Sequence, residues 1–175
     1  MTREAATYYA TEHLRDGRLI EIRALQPRDQ ADLTAAVNRT GAQSLYRRFF
    51  GAKRHFSDKE IAFFLGVDFV SHVALVAVVD ENGRPAIVAG GRYVVTRPGS
   101  AEVAFMVIDA YQKLGIGAAL MRHLVTIARA AGLAELTAEV LPNNVSMLKL
   151  FERCGLRMSK TRDADAVHDT LRLAD

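Results

Sequence analysis

The residues most able to do chemistry form a glycine-bearing turn, Gln112-Lys113-Leu114-Gly115-Ile116-Gly117, between a predicted strand and a long predicted helix. The first turn of a helix leaves four backbone N–H groups without intrahelical partners and carries about half a positive charge. Glycines there let an anion approach the backbone closely. The turn therefore favours a pyrophosphate group, although the same glycines would also permit a tight turn that binds nothing.

Two other phosphate-binding motifs do not fit this turn. The residue three positions after Gly117 is Leu120 rather than glycine, so the dinucleotide-binding fingerprint is incomplete. No Gly-Lys-Ser or Gly-Lys-Thr follows, which excludes a P-loop. The turn alone therefore leaves the class of phosphate-bearing ligand open.

The elements around the turn predict an α/β protein with an α+β mixed sheet. An antiparallel meander comes first, and Asn82-Gly83 marks one of its hairpins, because such turns need positive φ angles. A strand, a long helix and another strand then follow, and this order implies a parallel pair with a right-handed crossover. We expect residues 1–18 to be a loose arm or an extra helix, and residues 19–175 to form a single domain.

The predicted boundaries follow from apolar periodicity and from capping residues. The predicted strands are Leu19–Leu25, His72–Asp80, Ala86–Thr96, Ala101–Ile108, Leu136–Leu141 and Val167–Leu173. The predicted helices are one that opens at Pro27, Ala42–Phe50, one capped by Ser57 that ends at Gly66, Gly115–Ala131, and one capped by an asparagine after Pro142 that ends at Gly155. The Gly90-Gly91 pair predicts a bulge or a close backbone approach.

The composition is that of an ordinary globular domain. The chain has 175 residues, of which 50% are hydrophobic, and 23 basic against 20 acidic residues give a net charge of +3. This charge is too small to indicate a nucleic-acid partner. The longest apolar run, Val73 to Val79, is far shorter than the roughly 20 residues that span a bilayer. The single cysteine and the absence of a secretory signal predict a cytoplasmic protein without a membrane partner.

The remaining reactive side chains give weaker signals. Cys154 lies beside the helix-ending Gly155 and is predicted to be a buried, inert thiol. His72 begins a strand and is either a hydrogen-bonded structural residue or a proton shuttle. The five histidines, at positions 13, 55, 72, 123 and 168, lack the spacing of a metal site.

Two motifs in order carry a family resemblance. QKLGIG fits the turn Gln/Arg-x-x-Gly-x-Gly/Ala, and LPNNVSMLKLFERCGL fits a strand that ends near an asparagine and leads into a short helix, with Leu156 where the family has phenylalanine. The chain thus resembles the GNAT superfamily of acetyl-CoA-dependent N-acetyltransferases. The segments IRALQPRDQADL, SLYRRFF and AEVAFMVIDAYQKLGIG are most similar to the catalytic domain of bacterial protein-lysine acetyltransferases. Larger members of that group carry further regions, and this chain is expected to be a stand-alone catalytic domain.

The resemblance implies a role for each matching residue. Glu102 falls on the position of the general base, which is often assisted by a water molecule. The turn would hold the cofactor pyrophosphate, the strand before it would pair with the pantetheine arm, and an asparagine would contact that arm from the other side. The residues on cofactor-binding positions are Met106, Val107, Ile108, Gln112, Leu114, Gly115, Ile116, Gly117, Ala118, Asn144 and Phe151.

The implied reaction transfers acetyl from acetyl-CoA to a primary amine, with a protein lysine as the preferred acceptor. A lysine amine has an ordinary pKa near 10.4 and arrives protonated, so a proton acceptor is required. Glu102 shares a strand face with Ala104 and Met106, although a solvated carboxylate is the alternative. Many family members have a tyrosine at the position of Phe151 as general acid, and Tyr111 is either its substitute or a packing residue.

Two other functions stay open at this point. A small amine, such as a polyamine, an amino acid or an antibiotic, could replace the protein acceptor. A catalytically silent acyl-CoA sensor is the second alternative, supported only by the missing tyrosine. Tyr46, Arg47 and Arg48, with Phe49 and Phe50, lie on early helices and either shape the acceptor side or simply pack and solvate. Monomer and homodimer are both compatible with the sequence.

Overall fold

The computed structural model describes residues 5–49 and 57–174. Within the second short helix, the side chains of Tyr46, Arg47 and Phe49 are not described, whereas that of Arg48 is. The predictions that concern Phe50 and His55 therefore fall outside the described residues.

The described residues form a single sheet of eight strands at the centre of the fold. Its strand order is β1-β2-β3-β4-β5-β6-β8-β7, and only the β5–β6 pair is parallel. This is the predicted meander followed by one strand–helix–strand unit. The strands are β1 Tyr9–His13, β2 Leu19–Ala24, β3 His72–Glu81, β4 Arg84–Arg97, β5 Ser100–Val107, β6 Glu135–Val140, β7 Arg157–Arg162 and β8 Val167–Arg172.

Within residues 5–49 and 57–174, the strands are connected by five helices, each where the sequence predicts one. Ser57 caps the third helix through the predicted box, in which its side chain accepts from the amide of Glu60 and the Glu60 side chain accepts from the amide of Ser57. The helices are α1 Gln30–Asn38, which follows a 3₁₀ turn at Pro27–Asp29, α2 Ala42–Phe49, α3 Asp58–Leu65, α4 Ile116–Ala130 and α5 Val145–Glu152. No described helix has the length and apolar content needed to cross a membrane.

The two faces of the meander are covered by different helices. On one face, Gly91 lies against the Phe105 ring and against Leu124 of α4, so this helix packs directly on the sheet. On the opposite face, Arg92 and Ala104 pair across β4 and β5 and lie under α1 and α3. The close approach predicted at the glycine pair is therefore at Gly91, whereas the register shift lies nearby, where β3 pairs with β4.

The prediction of a loose arm or an extra helix over residues 1–18 is wrong for its second half. Tyr9–His13 forms an edge strand that pairs antiparallel with β2, from Tyr9 opposite Arg23 to His13 opposite Leu19. Its side chains alternate between exposed and half-buried, and Glu12 bonds His123 of α4 over 2.7 Å. The strand is held by backbone pairing and polar contacts, which leave no apolar pattern in the sequence.

A second edge strand, β7, was not predicted for a similar reason. Arg157–Arg162 is almost entirely exposed, and it pairs antiparallel with β8 along its whole length. Predictions based on burial detect strands that contribute to the core, and this one contributes only Met158 at its margin.

Candidate active site

A large cleft opens where the two parallel strands of the sheet separate. The described pairing of β5 with β6 joins Ser100–Glu102 to Glu135–Thr137. Beyond these residues the two strands diverge. Residues 103–107 of β5 and 138–140 of β6 line the two sides of a cleft of about 1030 Å³. The separation leaves strand edges with backbone donors and acceptors facing the cleft, which is how an extended ligand can be bound between two strands.

The start of α4 lies at one end of this cleft. Gly115 caps the helix with φ 91°, in the left-handed region, and it has no side chain that could satisfy the first amides. The first intrahelical bond joins the amide of Ala119 to the carbonyl of Gly115. The amides of Ile116, Gly117 and Ala118 therefore have no intrahelical acceptor, and all three residues line the cleft. This end of the cleft suits an anion.

The turn before α4 is fixed by the side chain of Gln112. Its Nε2 donates to the carbonyl of Val107 and to the hydroxyl of Ser44, both over 3.1 Å. The carboxylate of Asp109 accepts from the same hydroxyl over 3.0 Å and from the amide of Gly41 over 3.1 Å. These contacts tie the turn to the end of β5 and to the first residues of α2. Gln112 therefore holds the turn in position through its side chain.

Arg15 is a site residue that the sequence analysis missed. It lies in the turn between β1 and β2, its amide donates to the carbonyl of Leu114 over 3.3 Å, and its Nη1 reaches the carbonyl of Lys113 over 3.4 Å. It adds a positive charge beside Gly115, where the anionic end of a ligand would lie. The prediction of a loose arm or extra helix over residues 1–18 gave no reason to place Arg15 in the site, because the β1–β2 pairing is what brings it to the turn. The other cations that line the cleft are Arg48, Lys113, Arg122, Arg129, Lys149 and Arg153.

Glu102 stands at the point where β5 and β6 separate. It is exposed, lines the cleft, and is the last residue of β5 that pairs with β6. Ala104 and Met106 follow on its face, as predicted, while Val103 and Phe105 are buried on the other. Arg48 is its charged neighbour: burial lowers the pKa of the Arg48 guanidinium to about 10, and the charge of Glu102 opposes that shift. A carboxylate is thus placed on the open cleft beside a half-buried cation.

The backbone groups of Val107 and Ile108 face different sides of β5. The carbonyl of Val107 bonds the Gln112 side chain, whereas the amide of Ile108 donates to Val88 of β4 over 3.0 Å. Backbone groups of neighbouring strand residues point to opposite sides, so the N–H of Val107 points away from β4. Ile108 is fully buried and does not line the cleft, so its predicted contact with a pantetheine arm is wrong.

The other predicted positions are distributed around the cleft. Asn144 caps α5 by accepting from the amide of Met147 over 3.3 Å, and it lines the wall opposite β5. Phe151 is buried, lines the same wall and packs at 6.2 Å against the Phe105 ring. Leu114 is half-buried, packs against the core and is not among the lining residues. Met106 lies on the cleft side of β5.

Three alternative reactive groups already have polar partners within the protein. The hydroxyl of Tyr111 donates to Glu81 over 2.7 Å, and burial, with Glu81 adding, raises the pKa of this phenol. His72 is buried and contacts Nη1 of Arg92 over 2.9 Å, and burial lowers the pKa of this imidazole to about 4, so it is neutral near pH 7. Cys154 is half-buried on the cleft rather than fully buried, and its thiol donates to the carbonyl of Phe151.

Comparison with known proteins gives one consistent family. The model of the GNAT acetyltransferase family matches residues 42–156. An acetyltransferase of Pseudomonas aeruginosa is 32% identical over 155 residues, which cover 88% of this chain and 82% of that protein. The GNAT domain of S. lividans PAT superimposes with a TM-score of 0.85 at 31% identity, covering 94% of this chain and 96% of that one.

A more distant structure shares the fold alone. The yncA acetyltransferase of Salmonella typhimurium, solved with its cofactor acetyl-CoA, has a TM-score of 0.71 at 20% identity and covers 89% of this chain and 95% of its own. The predicted fold class and the predicted enzyme class are confirmed by the family match. The chain belongs to the GNAT family of acetyltransferases.

Proposed function

We propose that this protein transfers an acetyl group from acetyl-CoA to the side-chain amine of a protein lysine. The observation that carries the proposal is the cleft itself, with an uncapped helix start at one end and an exposed carboxylate, Glu102, where the strands part. One end binds an anionic ligand, and the other offers a proton acceptor to an amine.

The donor is held by backbone groups in this proposal. The amides of Ile116, Gly117 and Ala118 bind the pyrophosphate of acetyl-CoA, and Arg15 adds charge beside them. The pantetheine arm pairs with the edge of β5 that the separated strands leave open, and Asn144 faces it from the opposite wall. In this proposal the thioester lies near the point where β5 and β6 part.

The transfer then needs a base and a site for the oxyanion. Glu102, directly or through a water molecule, takes a proton from the ammonium, and the neutral amine forms a bond to the thioester carbon. The resulting tetrahedral oxyanion accepts a hydrogen bond from the N–H of Val107. Collapse of this intermediate breaks the carbon–sulfur bond and releases the thiolate of coenzyme A. The nitrogen then loses its remaining extra proton, which the thiolate takes up through solvent, so the products are a neutral amide and coenzyme A thiol.

The leaving thiolate does not require a tyrosine. A thiol has an ordinary pKa near 8.5, so its anion leaves more readily than an amine or alkoxide anion would. Phe151 has no proton to give, and the hydroxyl of Tyr111 already donates to Glu81. We therefore assign no general acid among these residues.

A protein acceptor is supported by the openness of the site. Glu102 is exposed on a wide cleft, so an amine at the end of a long side chain can reach it from outside. The sequence segments shared with bacterial protein-lysine acetyltransferases, and the 31% identity to the GNAT domain of S. lividans PAT, support the same acceptor.

Two measurements test the proposal. Isothermal titration should show binding of acetyl-CoA, and a lysine-containing peptide should then be acetylated in a turnover assay. Glu102→Gln should lower kcat by roughly 100- to 10,000-fold while leaving the affinity for acetyl-CoA nearly unchanged. The matched control is Glu139→Gln, which removes another exposed glutamate from the cleft and should keep kcat near that of the wild type.

The outcomes separate the parts of the proposal. No binding at millimolar acetyl-CoA would refute the donor site, and equal kcat values for the two glutamine variants would remove Glu102 as the base. Acetylation of small amines with no detectable acetylation of peptides would replace the acceptor.

A further inference from the structure

A second, smaller cavity adjoins the cleft on the acceptor side. It holds about 60 Å³ and lies between α1, α3 and strands β4 and β5. It shares Arg48, Ala104 and Met106 with the large cleft, so the two spaces are neighbours. The remaining walls are mostly apolar and include Leu33, Val37, Ile61, Phe64, Leu65 and Gly90.

A charged group, Arg92, lines this apolar cavity. Its described hydrogen bonds both start from Nη1, one to the carbonyl of Phe64 over 3.1 Å and one to Nε2 of His72 over 2.9 Å. Its guanidinium also stacks on the Phe64 ring, at 4.9 Å from the ring centre. Neither polar partner carries a negative charge, because one is a carbonyl and the other an imidazole that is neutral near pH 7.

In the part of the chain that the structure describes, the nearby charges do not balance the Arg92 cation. Burial, with the nearby charge of Arg48 adding, lowers the pKa of the Arg92 guanidinium to about 9, so it stays charged at neutral pH. The carboxylate of Asp68 accepts from the amides of Val70, Ser71 and His72 on the loop before β3. The charge of Glu102 acts on Arg48, and Glu102 is exposed. Charges shielded from water in proteins are normally paired, and Arg92 has no anionic partner among the described residues. Its position on an apolar cavity therefore points to an anion from outside.

The register of the sheet places this cavity beside the reacting amine. Arg92 pairs directly with Ala104, and Glu102 is its diagonal neighbour on the same face, a position that lies about 7–8 Å away in an antiparallel pair. An amine at Glu102 and a carboxylate at Arg92 can therefore belong to one acceptor. The cavity accommodates a group of a few heavy atoms, since a site for a single water molecule needs only about 10–15 Å³.

We propose that the acceptor carries a carboxylate near its reactive amine, and that Arg92, with Arg48 beside it, binds this carboxylate in the small cavity. The inference rests on the proposed function and adds the charge of the acceptor to it. The carboxylate belongs either to an aspartate or glutamate beside the target lysine or to a free amino acid. The chemistry of recognition is the same, a charge-assisted and potentially bidentate pair with a guanidinium.

The test compares acceptors that differ only in this charge. One arm uses two lysine peptides that are identical except for aspartate or asparagine next to the lysine. The other arm uses free lysine and lysinamide. In the arm that contains the natural source, the charged acceptor should have a kcat/KM roughly 10- to 100-fold higher, as a hydrogen bond to a charged group predicts. A ratio near one in both arms would overturn the inference.

Variants then assign the effect to the cavity. Arg92→Gln should bring the ratio of kcat/KM for the charged acceptor to kcat/KM for the neutral acceptor close to one. A general loss of folded protein lowers both values equally and does not change this ratio. Arg97→Gln is the matched control, because it removes the same charge from the same strand at an exposed residue paired with Glu135. A control variant that lost the preference equally would attribute it to net charge and refute the cavity.

A measurement on the wild-type protein covers the case in which Arg92→Gln does not fold. Propionate should compete with the neutral peptide and raise its KM without changing the KM for acetyl-CoA, whereas no competition would count against the inference. The proposed function fails separately, since its failure is the absence of acetylation of every amine tested.

Discussion

The close contact of Gly91 with the core predicts a large difference between two neighbouring glycines of β4. A Cβ atom at Gly91 would lie 2.8 Å from two atoms of the Phe105 ring and 3.2 Å from Leu124. The Phe105 ring is buried and packs against Phe151, so it has little space to move. A Cβ atom at Gly90 would meet nothing closer than the carbonyl of Leu75, at 3.6 Å.

The expected magnitudes follow from these distances. Gly91→Ala overpacks the core and should lower the free energy of unfolding by about 1–3 kcal/mol. This corresponds to a fall in Tm of about 2–12 °C for a domain of this size. Gly90→Ala makes only ordinary contacts and restricts the unfolded chain, so it should raise the free energy of unfolding by about 0.4–1 kcal/mol.

Thermal and urea unfolding of the two variants, measured beside the wild type, provide the assay. Neither glycine has a positive φ angle, so backbone strain does not enter the comparison. Equal midpoints for Gly91→Ala and Gly90→Ala would refute the reasoning, because they would mean that the Phe105 ring can move away from a new methyl group without cost.

Two further predictions concern polar groups away from the acceptor cavity. Asp169 is buried between Val167 and Leu171, neither carboxyl oxygen has a hydrogen-bond partner among the described residues, and burial raises its pKa above 3.8. Asp169→Leu should therefore add about 1–3 kcal/mol to the free energy of unfolding at pH 7, and the gain should shrink in acid, because the wild-type penalty appears only as pH rises above 3.8. A constant gain across urea titrations from pH 4 to pH 8 would contradict this sign. Tyr111→Phe removes the hydrogen bond to Glu81 and should cost about 1 kcal/mol of stability while leaving kcat and its pH dependence unchanged; a lower kcat with an altered alkaline limb would make Tyr111 the general acid.

The parts of the fold that bury apolar side chains could be predicted from the sequence. The stripe of α4, the capping box at Ser57 and the hairpin at Asn82-Gly83 all act over a few residues, and the structure has each of them. The edge strands β1 and β7 could not be predicted, because backbone pairing to a distant strand holds them and their side chains face solvent.

The residues of the candidate site likewise divide into those that local sequence motifs predict and those that only the fold brings together. The turn at Gly115 and the carboxylate of Glu102 lie within short motifs, so their local spacing revealed them. Arg15 and Arg92 reach the site through strand pairing over long sequence distances, and no local signal could place them there. The resemblance implies a cofactor contact for Ile108 because it lies on the strand that pairs with the pantetheine arm, whereas the alternation of backbone groups turns its amide toward β4.

The separation of β5 and β6 has a consequence for handling the protein. Two partly unpaired strand edges face each other across a cleft, and such edges are templates on which stray extended polypeptide can add. The ligand that fits between them would also shield them. Preparations kept saturated with coenzyme A should therefore remain monodisperse at concentrations and temperatures where ligand-stripped samples begin to precipitate.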